Sequence, residues 1–386
     1  MSRWLAWLFV LGGLLAGSVA SGEQCVPDEL LVKFREGTPA QVRASVHQAL
    51  GATLRDRIEG LDVEVVALPP RLTPDQAARL YARQSSVKYA EPNGIYVPTS
   101  TPSDPSVGQE WGLSRIQAPQ AWDVTQGDAG VSIAILDSGI ASDHEDLGPK
   151  IAASQNFTPT ASEEDVYGHG THLAGIAAAV TDNGVGVAGV GFRCSLINAK
   201  VALDNGRSND KVVAQGILWA VSAGARVILM SFSSSTPSPT VEQAINTAWN
   251  SGVVLVASAG NDGSSAPVYP AAYDNCIAVA STDPGDSKAG DSGWGPWVDV
   301  AAPGVGILST LPNQRTSWGQ GYGNATGTSQ AAAFVAGLAG LVWSAGGGSN
   351  ASVRARIEST CDAIAGTGQL WVHGRINAAR AVGAIQ

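Results

Sequence analysis

The chain has 386 residues, 44% hydrophobic and 15% charged, with 46 glycines. That is the composition of a compact globular protein with room for one large domain and a smaller one, not of a disordered chain. A formal net charge of −10, with no basic cluster, argues against a nucleic-acid partner.

At the amino terminus, Arg3, an apolar run over residues 4–15 and small residues at 16–20 predict a secretory signal peptide over residues 1–20. The run is too short to span a membrane, so a secreted, extracellular protein with no membrane partner is expected. Residues 27–97 are expected to form a small α+β sandwich of ferredoxin-like type: a strand at 29–34, an amphipathic helix at 38–50, an alternating strand at 61–68, a helix at 73–84 capped by Thr73, and an extended segment at 87–93. Residues 98–105 are polar and rich in proline, which reads as a linker and processing point.

The remainder, residues 106–386, alternates β-rich apolar runs with helical segments. Strands are expected at 131–136, 195–201, 227–232, 253–258 and 276–281. Helices are expected at 169–180, 210–223, 241–250, 329–344, 351–364 and 376–382. The pattern predicts an α/β fold, a parallel sheet covered by helices on both faces. In such sheets the chemistry gathers where strands end and loops meet helices. Setting Cys25 aside with the leading unit leaves Cys194, Cys276 and Cys361, which allow at most one disulfide or else buried thiols.

Four segments carry candidate chemistry. Gly327-Thr328-Ser329 opens an apolar run that is helical and buried, which puts Ser329 at or next to a helix amino end. Unpartnered N–H groups and the helix dipole favour negative charge there. A plain N-cap is the alternative. Asp137 closes the run 133–137 just before Gly139 and is placed either to orient a neighbour or to make a turn. His169 lies between Gly168 and Gly170 at the head of a helix. It reads as a base, a structural histidine, or half of a His169/His172 metal pair, although the zinc-protease pattern with Glu after the first His is absent. Asn261 follows a buried strand into a glycine-rich turn, where it offers a neutral donor for an oxyanion or simply turns the chain. The set gains meaning jointly, since a serine hydroxyl needs a base and the base needs an acid to fix its tautomer.

The order Asp137, His169, Asn261, Ser329 is that of the subtilisin-like serine proteases. With Trp111-Gly112-Leu113, Tyr269-Pro270-Ala271, Ala302-Pro303-Gly304 and Gly374-Arg375-Ile376-Asn377, the chain resembles that family from about residue 111 to its end. Residues 27–97, including Tyr89-Ala90-Glu91-Pro92-Asn93, resemble the family's inhibitory propeptide. The resemblance implies a monomeric, self-processing zymogen acting on polypeptides, with its own propeptide as intramolecular inhibitor. It implies Ser329 as nucleophile, His169 as base, Asp137 as its orienting acid, and Asn261 with the Ser329 N–H as oxyanion hole. It implies edge strands Ser231-Phe232-Ser233 and Ser258-Ala259-Gly260 that pair with substrate. A structural Ca²⁺ is implied at Asp104, Asp146, Val180, Asn183, Val185 and Val187, while Asn156-Phe157-Thr158-Pro159 lacks the aspartates of a second site. The family's usual Met, Pro and His are replaced by Gln330, Ala333 and Phe334. Ser233 and Ser234 stand where glycines are usual, which predicts a narrower substrate groove. A non-catalytic peptide-binding protein and an esterase are the alternatives. The intact four-residue set weighs against the first, and Ala331, which breaks the G-x-S-x-G elbow, against the second.

Overall fold

The computed structural model describes residues 25–95 and 101–384. The signal peptide expected over 1–20 and residues 98–100 of the processing region lie outside the described residues. The chain divides into two compact units, one reaching to Tyr96 and one running from Val97 to Ala384.

The first unit runs β1 (Cys25–Phe34), α1 (Ala40–Ala49), β2 (Thr53–Ile58), β3 (Val63–Ala67), α2 (Pro74–Ala82) and β4 (Val87–Gly94). Its strands form an antiparallel sheet in the order β2-β3-β1-β4. Alternation along β1 sends Leu30, Val32 and Phe34 to one face, where they pack with Val66, Ala77 and Tyr81. Thr73 and Gln76 close a capping box at the start of α2, with Pro74 in the first turn. β2 has no counterpart among the expected strands. All six of its residues are exposed, so no apolar face marks it, and pairing to β3 holds it.

The second unit opens with two short helices, α3 (Trp111–Arg115) and α4 (Ala118–Trp122). Then come β5 (Ser132–Asp137), β6 (Ile151–Asn156), α5 (His169–Ala178), β7 (Ser195–Lys200), α6 (Asp210–Ser222), β8 (Ala225–Met230), α7 (Pro239–Asn250) and β9 (Val254–Ser258). β10 (Cys276–Thr282), β11 (Val300–Pro303), β12 (Ile307–Thr316), β13 (Gly319–Ala325), α8 (Thr328–Ser344), α9 (Asn350–Ser359) and α10 (Ala378–Val382) complete it. Seven strands make one sheet in the order β11-β10-β9-β8-β5-β7-β6, every neighbouring pair parallel.

Successive residues of β5 serve opposite cores. Ile133 and Ile135 pack with α5 and α8, while Ala134 and Leu136 pack with α6 and α7. Burial on both faces is why these strands read as unbroken apolar runs. α8 is buried from Thr328 to Val342, as an all-apolar helix must be. The edge strands β6 and β11 and the β12–β13 hairpin were not among the expected strands; β11 has only four residues and β13 is glycine-rich, so neither carries an apolar alternation. α9 stops at Ser359, short of the expected 364, because Asp362 forms a backbone bridge and an ion pair with Arg375. Cys194, Cys276 and Cys361 remain thiols. Among the described residues no helix is long and apolar enough to cross a membrane.

Candidate active site

The carboxyl ends of the central strands deliver most of the site. Asp137 is the last residue of β5, Ser231 follows the end of β8, and Asn261 comes three residues after β9. From the covering helices, His169 opens α5 and Ser329 is the second residue of α8. The N-cap of α8 is Gly327, so Ser329 is not a cap, and its side chain is buried among the first N–H groups of the helix.

Asp137 Oδ1 accepts from His169 Nδ1 at 2.8 Å and from the Ser138 N–H at 2.8 Å. That contact fixes the tautomer that leaves Nε2 able to accept a proton. Burial works to lower the His169 pKa, but the Asp137 charge and hydrogen bond, helped by Asp165, outweigh it and hold the imidazole above its ordinary value. The backbones meet closely here: a Cβ on Gly170 would fall 2.2 Å from the Gly139 carbonyl oxygen and 3.0 Å from Asp137 Cβ.

Ser329 Oγ donates to the Ser231 carbonyl at 3.4 Å rather than to His169. The two lie on adjoining turns of packed helices, since the next residue, Gln330, meets His172 Nδ1 at 3.5 Å. Catalytic hydrogen bonds are often open without substrate and tighten only when it binds. His172 gives its Nε2 N–H to the Gly323 carbonyl at 3.1 Å, and burial pushes its pKa down to about 4. The two histidines of the segment therefore turn to different partners and do not converge as a metal pair.

Asn261 Oδ1 accepts from both the Thr328 N–H at 2.8 Å and the Thr328 hydroxyl at 2.9 Å. Two donors on one oxygen settle which end of the amide is which, so the Nδ2 end is the donor at this turn. Thr328 escaped the sequence reading although it orients this amide.

Asp165 was also unread. Fully buried, it accepts from the Ser138 hydroxyl, the Tyr167 and Gly168 N–H groups, and the N–H and hydroxyl of Thr171. It ties the residue after Asp137 to the turn that presents His169. An acid four residues before His169 is its only trace in the sequence.

The segments 231–233 and 258–260 are not edge strands, a correction to expectation. β8 and β9 are interior strands that end at Met230 and Ser258; residues 231–233 lie in no strand, while β10 runs on to Thr282 and takes the Ala259 N–H at its Val279 carbonyl. A cleft of about 440 Å³ borders the first segment, lined by Phe232, Ser233, Ser234, Val241 and Tyr269 among others. Ser292, within Gly290-Asp291-Ser292-Gly293, is buried and accepts the Ser281 N–H.

A second polar cluster surrounds the loop 180–187. Asp104 accepts the N–H groups of Asp182 at 2.7 Å and Asn183 at 3.2 Å. Asp146 accepts from Asn183 Nδ2 at 2.8 Å, the Val187 N–H at 3.0 Å and Tyr322 at 3.0 Å, while its carbonyl takes the Val180 N–H. The Val185 N–H is held by Asn183 Oδ1 at 2.8 Å. Both carboxylates are buried, and burial raises the pKa of Asp146. Burial, with the Asp104 and Asp146 charges adding to it, pushes nearby Glu110 up to about 8. Among the described residues no three His, Cys, Asp or Glu side chains group as a metal cluster. Any ion here would lean on backbone carbonyls, and this all-oxygen set with surplus negative charge fits a hard cation.

Comparison with known proteins gives two family matches: the subtilase family over residues 128–375, and the fervidolysin N-terminal prodomain over residues 16–93. The chain is 46% identical to thermitase of Thermoactinomyces vulgaris over 284 residues, covering 73% of this chain and 99% of that protein. It is 38% identical to the thermophilic serine proteinase of Bacillus sp. strain AK1, over 92% of this chain and 88% of the relative. A solved protease of Pseudoalteromonas arctica PAMC 21717 superposes with a TM-score of 0.69 at 31% identity, covering 74% of this chain and 99% of that one.

Proposed function

Because the chain belongs to the subtilase family of serine proteases and carries an N-terminal prodomain, we propose that it is a secreted endopeptidase that cuts itself free of that prodomain. The observation that carries this reading is the 2.8 Å Asp137–His169 hydrogen bond, beside a serine buried at the head of α8.

The steps follow from these side chains. Ser329 turns its hydroxyl from the Ser231 carbonyl to His169 Nε2 and attacks the substrate carbonyl as the imidazole takes the proton. Asp137 holds the imidazolium, and His169 then passes the proton to the leaving nitrogen. The oxyanion is received by Asn261 Nδ2 and the Ser329 N–H, two donors already oriented before the reaction. Deacylation by water repeats the sequence. The extended segments Ser231-Phe232-Ser233 and Ser258-Ala259-Gly260 pair with substrate backbone, and side chains enter the cleft beside Phe232.

The same reading places a structural Ca²⁺ at Asp104, Asp146, Asn183 and the carbonyls of Val180, Val185 and Val187. The ion would offset the buried carboxylates and tie the segment around Asp104, near the new amino terminus, to the body of the unit. Export rests on the composition of residues 1–20, and the active species is taken as a monomer of the catalytic domain, residues 106–386, together with the few residues that the cut leaves before it, Asp104 among them.

Amino-terminal sequencing of the secreted product tests the proposal. Wild type should begin within residues 99–103, while Ser329→Ala should retain its prodomain. Equal processing in both would refute self-cleavage.

A further inference from the structure

The β12–β13 hairpin sets an aromatic ring against the histidine of the site. Trp318, at the hairpin turn, has its ring centroid 5.1 Å from that of His169, with the planes inclined by 66°. It also lies 6.0 Å from the Tyr167 ring and 6.3 Å from His172. The turn is fixed locally. Thr316 Oγ1 accepts the Trp318 N–H at 3.1 Å and donates to the Gly319 carbonyl at 2.9 Å. The fit against the base is tight, since a Cβ on Gly168 would stand 2.9 Å from Thr316 Oγ1 and 3.0 Å from Trp318 Cβ. Trp318 and Tyr167 are nonetheless partly exposed.

The position of the ring relative to the reaction follows from its neighbours. His172, which Trp318 touches, meets Gln330, the residue just after the nucleophile. The acyl half of a substrate belongs instead with the exits of β8 and β9. His169 must return its proton to the leaving nitrogen, so the residue carrying that nitrogen has to pass the imidazole. The side chain waiting beside the imidazole is Trp318.

We propose that Trp318, with Tyr167, forms an aromatic subsite for the residue immediately after the scissile bond. Favoured substrates are then polypeptides with a large apolar or aromatic residue at that position. This rests on the protease reading above. An aromatic contact of this kind is worth roughly three- to tenfold in kcat/KM.

The test uses the processed enzyme and peptides sharing one acyl half, with Phe or Gly directly after the scissile bond, together with a methyl ester of the same acyl half, whose leaving group carries no side chain. Wild type should favour Phe over Gly by roughly tenfold. Trp318→Ala should bring that ratio close to one and slow the Phe peptide more than the methyl ester, and Trp318→Phe should restore most of the ratio. Three results would overturn the subsite: no preference in wild type, an equal loss on all three substrates, or a preference that moves only with the residue before the scissile bond. A methyl ester and peptides all left intact by the wild type would instead overturn the protease reading, and the subsite with it.

Discussion

Replacing Asn261 separates catalysis from architecture at this site. Its Oδ1 holds the N–H and hydroxyl of Thr328 at 2.8 and 2.9 Å, while its Nδ2 is the donor assigned to the oxyanion. Asn261→Ala removes both functions. Two part-buried hydrogen bonds at about 1 kcal/mol each predict a loss of about 2 kcal/mol in stability. Losing an oxyanion donor predicts a fall in kcat of roughly 10²–10³, or about 2.7–4 kcal/mol, with KM little changed because the contact forms only in the transition state. Asn261→Asp keeps the oxygen that Thr328 needs but replaces the donor by a negative oxygen. It should recover most of the stability and none of the rate. Denaturant midpoints and steady-state kinetics on both variants decide the matter. If kcat follows stability across the pair, or Asn261→Asp stays near wild-type rate, Asn261 is a structural residue and the oxyanion assignment is wrong.

Other consequences are equally open to measurement. His169 is held above its ordinary pKa, and the base acts when neutral, so kcat/KM should rise with pH along an acid limb centred above about 6.5. By linkage, the same shift stabilises the fold below the unfolded imidazole pKa, and that contribution fades as pH rises through the raised folded value. Asp137→Asn should move the acid limb down and cut kcat by roughly 10⁴, whereas an unmoved limb would deny the pairing its role. Gly170→Ala drives a methyl to within 2.2 Å of the Gly139 carbonyl oxygen and should cost about 1–3 kcal/mol by denaturant titration. A chelator should lower the Tm of the processed enzyme but hardly that of Asp146→Asn, and an unchanged wild-type melting curve would remove the calcium assignment.

What could be read in the sequence was whatever burial and residue chemistry write locally. β5, β8, β9 and α8 announce themselves because burial on every side demands uninterrupted apolar residues. β2, with all residues exposed, and the glycine-rich β13 carry no such mark, since pairing partners distant in the chain hold them. The candidate site divides in the same way. Asp137, His169, Asn261 and Ser329 stand out because few residue types can perform acyl transfer, and their order is informative. Asp165, Thr328 and Trp318 act only through contacts made after folding. Asp165 gathers donors from Ser138 and from the stretch 167–171, and Trp318 reaches His169 from 149 residues further on in the numbering. The expectation of edge strands at 231–233 and 258–260 came from the family resemblance, and of these six residues only Ser258 lies in a strand, the interior strand β9.

The central claim is that Ser329 is a nucleophile activated by His169. Labelling with a fluorophosphonate probe, followed by peptide mapping of the adduct, addresses it directly. The account predicts a stoichiometric adduct on Ser329 that is lost in Ser329→Ala and slowed by orders of magnitude in His169→Ala. An adduct on any other residue, or labelling of Ser329 at the same rate without His169, would contradict it.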